Sequence, residues 1–366
     1  MPTPLPIIDR PIRLAVIGLG HISELVLPTY AARDDVEVVG LCDLDPARRQ
    51  RWGREFPDAL QTGDIDELLQ IDADVVDVLV PTPAHAAVVI RVLEAGFHVQ
   101  VQKPIARSLE ESAAMVAAAA RTGATLRVLE DYLFYPPLVK LRDVYVSGEI
   151  GDATGIHMKI VNTGRGGWEI PESSARWLFE QSKDGRGWLV FDHGWHQLAI
   201  AYWLFGPIKR IFAWIGETQV APELAPDVML DAPSTLVWEH DNGVRGVLDI
   251  TLAPETYFKS DYYCCDERVE ITGTRGYVRC NRVSSYGVQE PSVVVYRDGE
   301  VRGYHALPDR PPDAFAGSTA NMVDAFRWTD VAPMMDGETS HVVLEALLTA
   351  LESSKAGRPL DVPRRH

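Results

Sequence analysis

The chain has few of the features that mark secreted, membrane-bound or metal-binding proteins. Its 366 residues include only four cysteines, at positions 42, 264, 265 and 280, and their spacing does not match a zinc site. We therefore expect reduced thiols, a cytoplasmic protein and no metal centre. The longest apolar runs, 113–120 and 198–205, are too short to cross a membrane. The N-terminus also lacks the basic start and apolar stretch of a signal peptide.

Positive charge is also scarce. The formal net charge is −17, which argues against a nucleic-acid partner, because such a partner requires a basic surface. An anionic small molecule is still allowed, since a few local arginines can override the overall field. A hydrophobic fraction of 46% with 24% charged residues is ordinary for a globular protein, and the length suffices for two domains.

The first third of the chain alternates strand and helix patterns. Predicted strands 13–17, 36–42, 74–80, 97–101 and 124–129 are separated by predicted helices 22–32, 46–56, 65–69, 84–95 and 109–122. Such alternation predicts a parallel sheet with right-handed crossovers. After about residue 134, a helix at 136–147 is followed by longer alternating runs with hairpin-like joints, which predict a mostly antiparallel sheet. We therefore divide the chain into a dinucleotide-binding domain, 1–134, and an α+β domain, 135–366.

A glycine turn provides the clearest functional signal. The first predicted strand runs into Gly18 and Gly20, and Asp43 follows the second strand, 23 residues after Gly20. Glycines at such a turn let backbone amides approach a pyrophosphate, and an acid about 20 residues later can bind a ribose hydroxyl. The third glycine position holds Ser23, where a small residue suffices for packing. Asp43 favours NAD over NADP, whereas Arg48 and Arg49 nearby keep NADP as an alternative.

Lys103 is predicted to lie at the carboxyl end of a parallel strand, followed by Pro104. Ligands of open parallel sheets bind at that edge, so the lysine could hold a substrate hydroxyl and stabilise a developing oxyanion. On spacing alone, a solvated lysine at a strand end is the competing interpretation.

A second candidate pair lies on the helix predicted from about residue 189 to Gly206. Asp192 and His196 are four residues apart and would share one helix face. An imidazole suits a general base that takes an alcohol proton, and a carboxylate one turn away can orient a hydroxyl. His193 and Gln197 have the same spacing, so the first pair could be accidental.

These residues together resemble the glucose–fructose oxidoreductase, inositol dehydrogenase and MocA-type family, over about residues 13–363. The resemblance rests on the AVIGLGHIS start, Pro81-Thr82-Pro83 followed by His85, Lys103-Pro104, the D-x-x-x-H segment, the 271–276 ITGTRG motif and the 360–363 ending. It implies an α/β protein with an N-terminal Rossmann domain and a C-terminal α+β domain with a large, mostly antiparallel open sheet.

The resemblance also implies site roles. Lys103 would be catalytic, Asp192 would position the substrate and His196 would be the general base. The cofactor-binding set would be Gly18, Gly20, His21, Ile22, Asp43, Arg48, Pro81, Thr82, His85, Gln102 and Lys103. The family usually has Glu-Lys-Pro where this chain has Gln102-Lys103-Pro104, which changes the charge beside the lysine.

The stretch 164–195 is rich in arginine and tryptophan, and we expect Arg165, Trp168 and Trp177 to join Lys103, Asp192 and His196 in binding substrate. Flat aromatic faces suit sugar rings and arginines suit anionic groups. Packing of the tryptophans in the core is the alternative.

Together with these residues, the resemblance implies an NAD-dependent oxidoreductase that transfers a hydride between a secondary alcohol of a sugar, cyclitol or sugar derivative and the nicotinamide. A redox-neutral alternative is an NAD-dependent glycosidase that oxidises a glycoside transiently, eliminates its leaving group and reduces the product again. A non-catalytic NAD sensor is the third hypothesis. The antiparallel sheet, covered on one face, predicts a homo-oligomer, either a dimer or a tetramer.

Overall fold

The computed structural model describes residues 8–167, 186–219, 229–258, 265–281, 290–327 and 331–363. The chain packs into two units. The first comprises Met1–Glu130 and Phe315–Leu344, and the second comprises Asp131–Ala314 and Glu345–His366. The first break lies four residues before the predicted boundary. The return of 315–344 to the first unit is a feature that the sequence division did not include.

The first unit is built on a parallel sheet with strand order β3-β2-β1-β4-β5-β6. Its strands are β1 (Ile12–Ile17), β2 (Val36–Cys42), β3 (Leu60–Thr62), β4 (Val75–Val78), β5 (His98–Gln102) and β6 (Leu126–Leu129). The intervening helices are α1 (Ser23–Ala31), α2 (Pro46–Gly53), α3 (Ile65–Leu68), α4 (His85–Glu94) and α5 (Leu109–Thr122). The central strands are almost continuously buried because helices cover a parallel sheet on both faces. The predicted alternation is confirmed, and only the short β3 was missed.

Helix starts in this unit follow their capping residues. The Asp45 carboxylate accepts a hydrogen bond from the Ala47 amide before α2, and the Ser108 hydroxyl accepts one from the Glu111 amide before α5. Each side chain satisfies a backbone donor that has no partner within its helix.

The returning segment is bonded to the last strand of the same sheet. The buried Arg127 side chain in β6 donates hydrogen bonds to the Ser318 carbonyl, at 3.1 Å, and to its hydroxyl, at 3.0 Å. The Val128 amide donates to the Met335 carbonyl at 2.8 Å. Two distant parts of the chain therefore share one core.

The second unit is built on a nine-stranded sheet, β16-β15-β14-β13-β7-β12-β11-β8-β17. Its elements are α6 (Pro136–Val146), β7 (Ala153–Arg165), a π-helical segment (Trp188–His193), α7 (Gly194–Phe205), β8 (Ile208–Ile215), β11 (Ser234–His240), β12 (Arg245–Tyr257), β13 (Cys265–Gly273), β14 (Gly276–Asn281), β15 (Val293–Arg297), β16 (Glu300–Tyr304) and β17 (Leu360–Asp361). A separate short pair is formed by β9 (Thr218–Gln219) and β10 (Met229–Leu230). Two long helices, α8 (Pro311–Arg327) and α9 (Gly337–Ala356), each contribute to both units.

This sheet is mostly antiparallel, as predicted, with β7 and β12 as its parallel pair. Buried and half-buried residues alternate along β11 and β13, which is typical of a sheet with one covered face. The predicted helix stop is confirmed at Gly206, whose φ of 76° lies in the left-handed region. The predicted start of the α-helix at residue 189 is wrong. The chain forms a π-helical turn there, and the α-helix α7 begins only at Gly194.

Three cysteines of the described residues, Cys42, Cys265 and Cys280, are buried. Among the helices in the described ranges, none combines the length and apolar character needed to cross a membrane.

Candidate functional site

The parallel sheet brings several predicted cofactor residues to one edge. Ile17 at the end of β1 pairs with Val78 at the end of β4, and Val78 pairs with Val101 near the end of β5. The residues that follow these strands therefore emerge at the same carboxyl edge. Gly18 follows β1 and Lys103 follows β5, so the glycine turn and the predicted catalytic lysine share this edge.

Gly18 occupies a position that only glycine fits. Its φ is 96°, and a Cβ there would lie 2.7 Å from the Leu79 carbonyl carbon. Its amide donates a 2.8 Å hydrogen bond to the Cys42 carbonyl at the end of β2. The missing side chain lets three strand ends converge beside the start of α1.

Gly20 faces open space. A Cβ built there would meet, among the described residues, only the Arg48 guanidinium, at 3.8 Å. This opening at the start of α1 is what a dinucleotide requires, because its pyrophosphate must approach backbone amides closely. Ser23 has the packing role expected of it, since its hydroxyl bonds to the Gly20 carbonyl at 2.6 Å and to the Trp52 indole at 3.0 Å.

Asp43 is held firmly at the end of β2. One carboxylate oxygen accepts from the Leu19 amide at 2.7 Å and the other from the Asp45 amide at 2.8 Å. The Arg48 guanidinium lies 3.7 Å from the carboxylate. Each oxygen keeps a lone pair for a ribose hydroxyl, so the residue fits an adenosine ribose. The nearby Arg48 guanidinium could also attract a phosphate.

His21 and Ile22 form the turn between Gly20 and α1. The His21 ring lies 3.6 Å from the Glu24 carboxylate, and Ile22 is the residue from which α1 begins. Both therefore stand where the predicted pyrophosphate would lie.

His85 has a structural setting. Its ring is fully buried, with Nδ1 3.0 Å from the Pro104 carbonyl and Nε2 2.9 Å from the Val80 carbonyl. Burial lowers the pKa of this imidazole. The histidine therefore connects the loop after β4 to the Lys103-Pro104 turn after β5. In the first of these loops, Pro81 precedes the short 3₁₀ turn that begins at Thr82. Backbone carbonyls on both sides therefore hold the ring in place, and its contact with the cofactor stays a prediction.

Lys103 is 8% exposed, and its amide donates a 2.7 Å hydrogen bond to the Gln102 side-chain oxygen. The glutamine that replaces the usual acid therefore acts as a neutral acceptor for the backbone of this turn. It fixes the start of the Lys103-Pro104 segment without adding charge beside the ammonium group.

In the second unit, Asp231 holds the start of the π-helical segment. Its carboxylate accepts hydrogen bonds from the Leu189 amide at 2.8 Å and the Val190 amide at 2.6 Å. A Cβ at Gly187 would overlap this carboxylate, so the glycine allows its close approach. Burial raises the pKa of Asp231, with a smaller contribution from the charge of Asp192. A π-helical turn often occurs at a functional site, and this one carries Asp192.

Asp192 and His196 are both buried, at 4% and 0% exposure. Asp192 lies in the π-helical segment and His196 in the first turn of α7, so they do not occupy one regular α-helix as predicted. The His196 ring stacks on the Tyr132 ring at 3.9 Å between centroids, with 10° between the planes. Tyr132 begins a short 3₁₀ turn after β6.

A buried glutamate that sequence reasoning missed lies beside this pair. Glu267 in β13 accepts hydrogen bonds from the Tyr132 hydroxyl at 3.1 Å, from His193 Nε2 at 2.8 Å and from Gln197 Nε2 at 2.8 Å. Donor atoms of His193, Cys265 and Glu267 all lie within 4.8 Å of one another, a spacing that a metal ion could use. The hydrogen bonds account for the positions of the histidine and the carboxylate without one.

One sequence signal could have revealed Glu267. In the strand 265–273, alternate residues Cys265, Glu267, Val269 and Ile271 are all buried, so the acid occupies an inward position of an apolar face. Asp231 has no comparable local signal, because its partners lie about 40 residues earlier in the chain.

Several predicted substrate residues cannot be placed. Trp168 and Trp177 lie outside the described residues, and the structure describes only the backbone of Arg165, at the end of β7.

A six-stranded parallel sheet with a glycine turn and an acid at its carboxyl edge defines a dinucleotide-binding domain, joined here to a unit with a large antiparallel sheet. Residues 12–130 match the oxidoreductase family with an NAD-binding Rossmann fold, and residues 138–279 match the GFO/IDH/MocA C-terminal domain. The chain therefore belongs to the GFO/IDH/MocA oxidoreductase family, as the resemblance predicted.

Similar proteins include a 1-carboxy-3-chloro-3,4-dihydroxycyclo hexa-1,5-diene dehydrogenase from Comamonas testosteroni, 30% identical over 251 residues. That match covers 68% of this chain but only 59% of the relative. An uncharacterized oxidoreductase from Rhizobium meliloti is 31% identical over 268 residues, with 72% of each chain covered.

Among solved structures, an oxidoreductase from Agrobacterium radiobacter in complex with NAD+, L-tartaric acid and magnesium superposes with a TM-score of 0.80. It covers 96% of this chain and 98% of its own, at 20% sequence identity. At that identity the likeness establishes the shared fold.

Proposed function

We propose that this protein is an NAD-dependent oxidoreductase acting on a secondary alcohol of a sugar, cyclitol or sugar derivative. The observation that carries the proposal is the common sheet edge of the glycine turn and Lys103, fixed by the register of β1, β4 and β5. A lysine at the edge where a dinucleotide binds is suited to a reacting oxygen beside the nicotinamide. A relative named as a dehydrogenase of a dihydroxylated ring supports this substrate class.

The chain supplies the acid–base chemistry. His196 takes the proton of the substrate hydroxyl, Lys103 stabilises the oxygen as charge develops on it, and Asp192 accepts a hydrogen bond from a neighbouring hydroxyl. A bound oxidised nicotinamide would accept the hydride from the same carbon, which leaves a carbonyl, the reduced cofactor and a proton on His196. Each of the three side chains is at most 8% exposed, and a water-poor setting strengthens such interactions.

Asp43 supports NAD as the cofactor. Its carboxylate is fixed at the end of β2 and would repel a 2′-phosphate, while a ribose hydroxyl could donate to it. Gly20, His21 and Ile22 would contact the pyrophosphate, and the loop that carries Pro81 and Thr82 would border the cofactor at the β4 end.

We also propose a homo-oligomer in a reducing, cytoplasmic setting. Trp214 in β8 is 61% exposed and Val301 in β16 is 68% exposed, so the large sheet presents apolar side chains that a second copy could cover. The buried thiols are consistent with a reducing compartment. Light scattering should give a dimer or tetramer, and a monomer at micromolar concentration would refute this part.

The test of the reaction is NADH formation with a panel of myo-inositol, D-glucose, D-glucuronate and methyl β-D-glucoside. We expect His196→Ala to lower kcat by about 10²–10⁴ on the best substrate, because a general base is lost. His157→Ala, in the exposed part of β7, is the control and should match the wild type. An undiminished kcat in His196→Ala would refute the assignment.

A further inference from the structure

Glu267 is the centre of a buried hydrogen-bond cluster in the second unit. It is 0% exposed and accepts hydrogen bonds from three side chains, one in the turn after β6 and two around the start of α7. One oxygen accepts from Tyr132 and His193, and the other accepts from Gln197. A buried carboxylate is stable only when its oxygens are satisfied in this way.

The three donors surround His196. His193 precedes it by three residues, Gln197 follows it directly, and the Tyr132 ring lies flat against its imidazole at 3.9 Å. Glu267 therefore holds the chain on both sides of His196, at the end of the π-helical segment and in the first turn of α7. Through the phenol it also holds the ring on which the imidazole stacks.

The negative charge matters for this arrangement. A carboxylate only accepts hydrogen bonds, so it satisfies three donors at once, and bonds to a charged acceptor are about twice as strong as neutral ones. A glutamine at this position would turn its own N–H groups toward at least one donor. The stacked ring and the helix turn would then lose their common anchor.

We propose that Glu267 is a positioning residue for His196, acting through Tyr132, His193 and Gln197. The inference rests on the proposed function, in which His196 is the general base. A displacement of about 1 Å at such a group can lower a rate by about 10², which sets the scale of the effect.

Two substitutions test the proposal in the full-length protein. Glu267→Gln keeps the shape and removes the charge, whereas Tyr132→Phe keeps the stacked ring and removes only the hydroxyl. Tyr135→Phe is a matched control, because Tyr135 is equally buried and its hydroxyl donates to the Asp309 carbonyl instead. Activity is measured as NADH formation with the best polyol of the panel above.

We expect kcat to fall about 10²-fold in Glu267→Gln and about tenfold in Tyr132→Phe, with KM for the polyol within about threefold of wild type. The double variant should be no slower than Glu267→Gln alone, because the hydroxyl acts through the carboxylate. Tyr135→Phe should retain the wild-type kcat. In a His196→Ala background, Tyr132→Phe should cause no further loss.

A second measurement does not need turnover. The face of the Tyr132 ring should shift the His196 imidazole protons upfield in the NMR spectrum, and the His196→Ala spectrum identifies them. Both test substitutions should move these resonances toward their usual positions, and Tyr135→Phe should not.

Wild-type kcat and unmoved resonances in Tyr132→Phe and Glu267→Gln would overturn the inference. So would an equal loss from Tyr132→Phe in the His196→Ala background, or a stoichiometric zinc ion bound by His193, Cys265 and Glu267 in the purified protein. If His196→Ala itself retains full activity, the proposed function fails instead. If His196→Ala is inactive while the Glu267 and Tyr132 variants are unaffected, only the positioning role fails.

Discussion

The Tyr30 hydroxyl donates a 2.7 Å hydrogen bond to the Asp77 carboxylate inside the first unit. Asp77 in β4 pairs with Gln100 in β5, and Gln100 pairs with Arg127 in β6. Three neighbouring strands therefore place a row of polar side chains beneath α1. The Gln100 amide donates to the Tyr30 hydroxyl at 3.0 Å. Burial raises the pKa of Asp77 to about 6, while these hydrogen bonds and the charge of Arg127 oppose the shift.

This raised pKa predicts a specific dependence of stability on pH. The folded protein binds the Asp77 proton more tightly than the unfolded chain, whose aspartates titrate near pH 3.9. The contribution of Asp77 to stability is therefore complete below about pH 4 and is lost as the pH rises through about 6. Relative to wild type, Asp77→Asn should become more stable over this range by roughly 3 kcal/mol.

Urea unfolding at half-unit pH steps measures this difference. Asp58→Asn, at an exposed position, is the control and should run parallel to the wild type. If the free energies of unfolding of Asp77→Asn and wild type differ by a constant amount from pH 4 to 6, the prediction is contradicted.

The cofactor preference should depend on Asp43. Asp43→Asn keeps one acceptor oxygen, for either the Leu19 or the Asp45 amide, and removes the charge that would repel a 2′-phosphate. We expect the ratio of NAD to NADP affinity to fall at least about tenfold, because Arg48 loses the Asp43 charge at 3.7 Å, keeps only Asp45 at 3.6 Å of these two carboxylates, and can bind the phosphate. Fluorescence titration with both reduced cofactors measures the ratio. Adding Arg48→Ala should remove the gained NADP affinity, and no change of ratio in Asp43→Asn would refute the role of its charge.

The close approach of Asp231 to Gly187 predicts that this glycine cannot be replaced. Gly187→Ala should push the carboxylate away from the Leu189 and Val190 amides and disturb the turn that carries Asp192. We expect kcat to fall about 10²-fold while NAD affinity stays within about twofold, since the cofactor residues belong to the other unit. The matched control is Gly194→Ala, because a Cβ there would meet the Leu189 carbonyl at an ordinary 3.5 Å. Its melting temperature should be unchanged. An equal kcat in Gly187→Ala and Gly194→Ala would contradict this account.

His85 should be important for stability. His85→Ala removes a fully buried ring whose nitrogens face the Val80 and Pro104 carbonyls, and the carbonyl that accepts its single N–H loses that hydrogen bond. The expected loss is about 2–4 kcal/mol in the free energy of unfolding, from the cavity and the unsatisfied carbonyl together. Guanidinium unfolding measures it, with His157→Ala as an exposed control. A loss below about 1 kcal/mol would show that the ring does not connect the two loops in solution.

The sequence predicted most of the regular structure because local signals agree with the fold. Continuous apolar runs indicated β1 and β2, and the capping residue Ser108 indicated the start of α5. The π-helical turn could not be predicted, because it depends on the Asp231 carboxylate from a distant segment. The cofactor edge was predictable from strand order, whereas the cluster around Glu267 arises only when β13 packs against residues that are far away in the chain.

The discontinuity of the first unit has a consequence for protein synthesis. Residues 131–314 leave the ribosome before 315–344, so Arg127 is made long before Ser318 can receive its hydrogen bonds. Until then β6 also lacks its bond to Met335 and remains an open strand edge. The first unit is therefore begun first but completed only after residues 131–314 of the second unit have been translated. During that long interval the β6 edge of the growing chain is exposed to premature association.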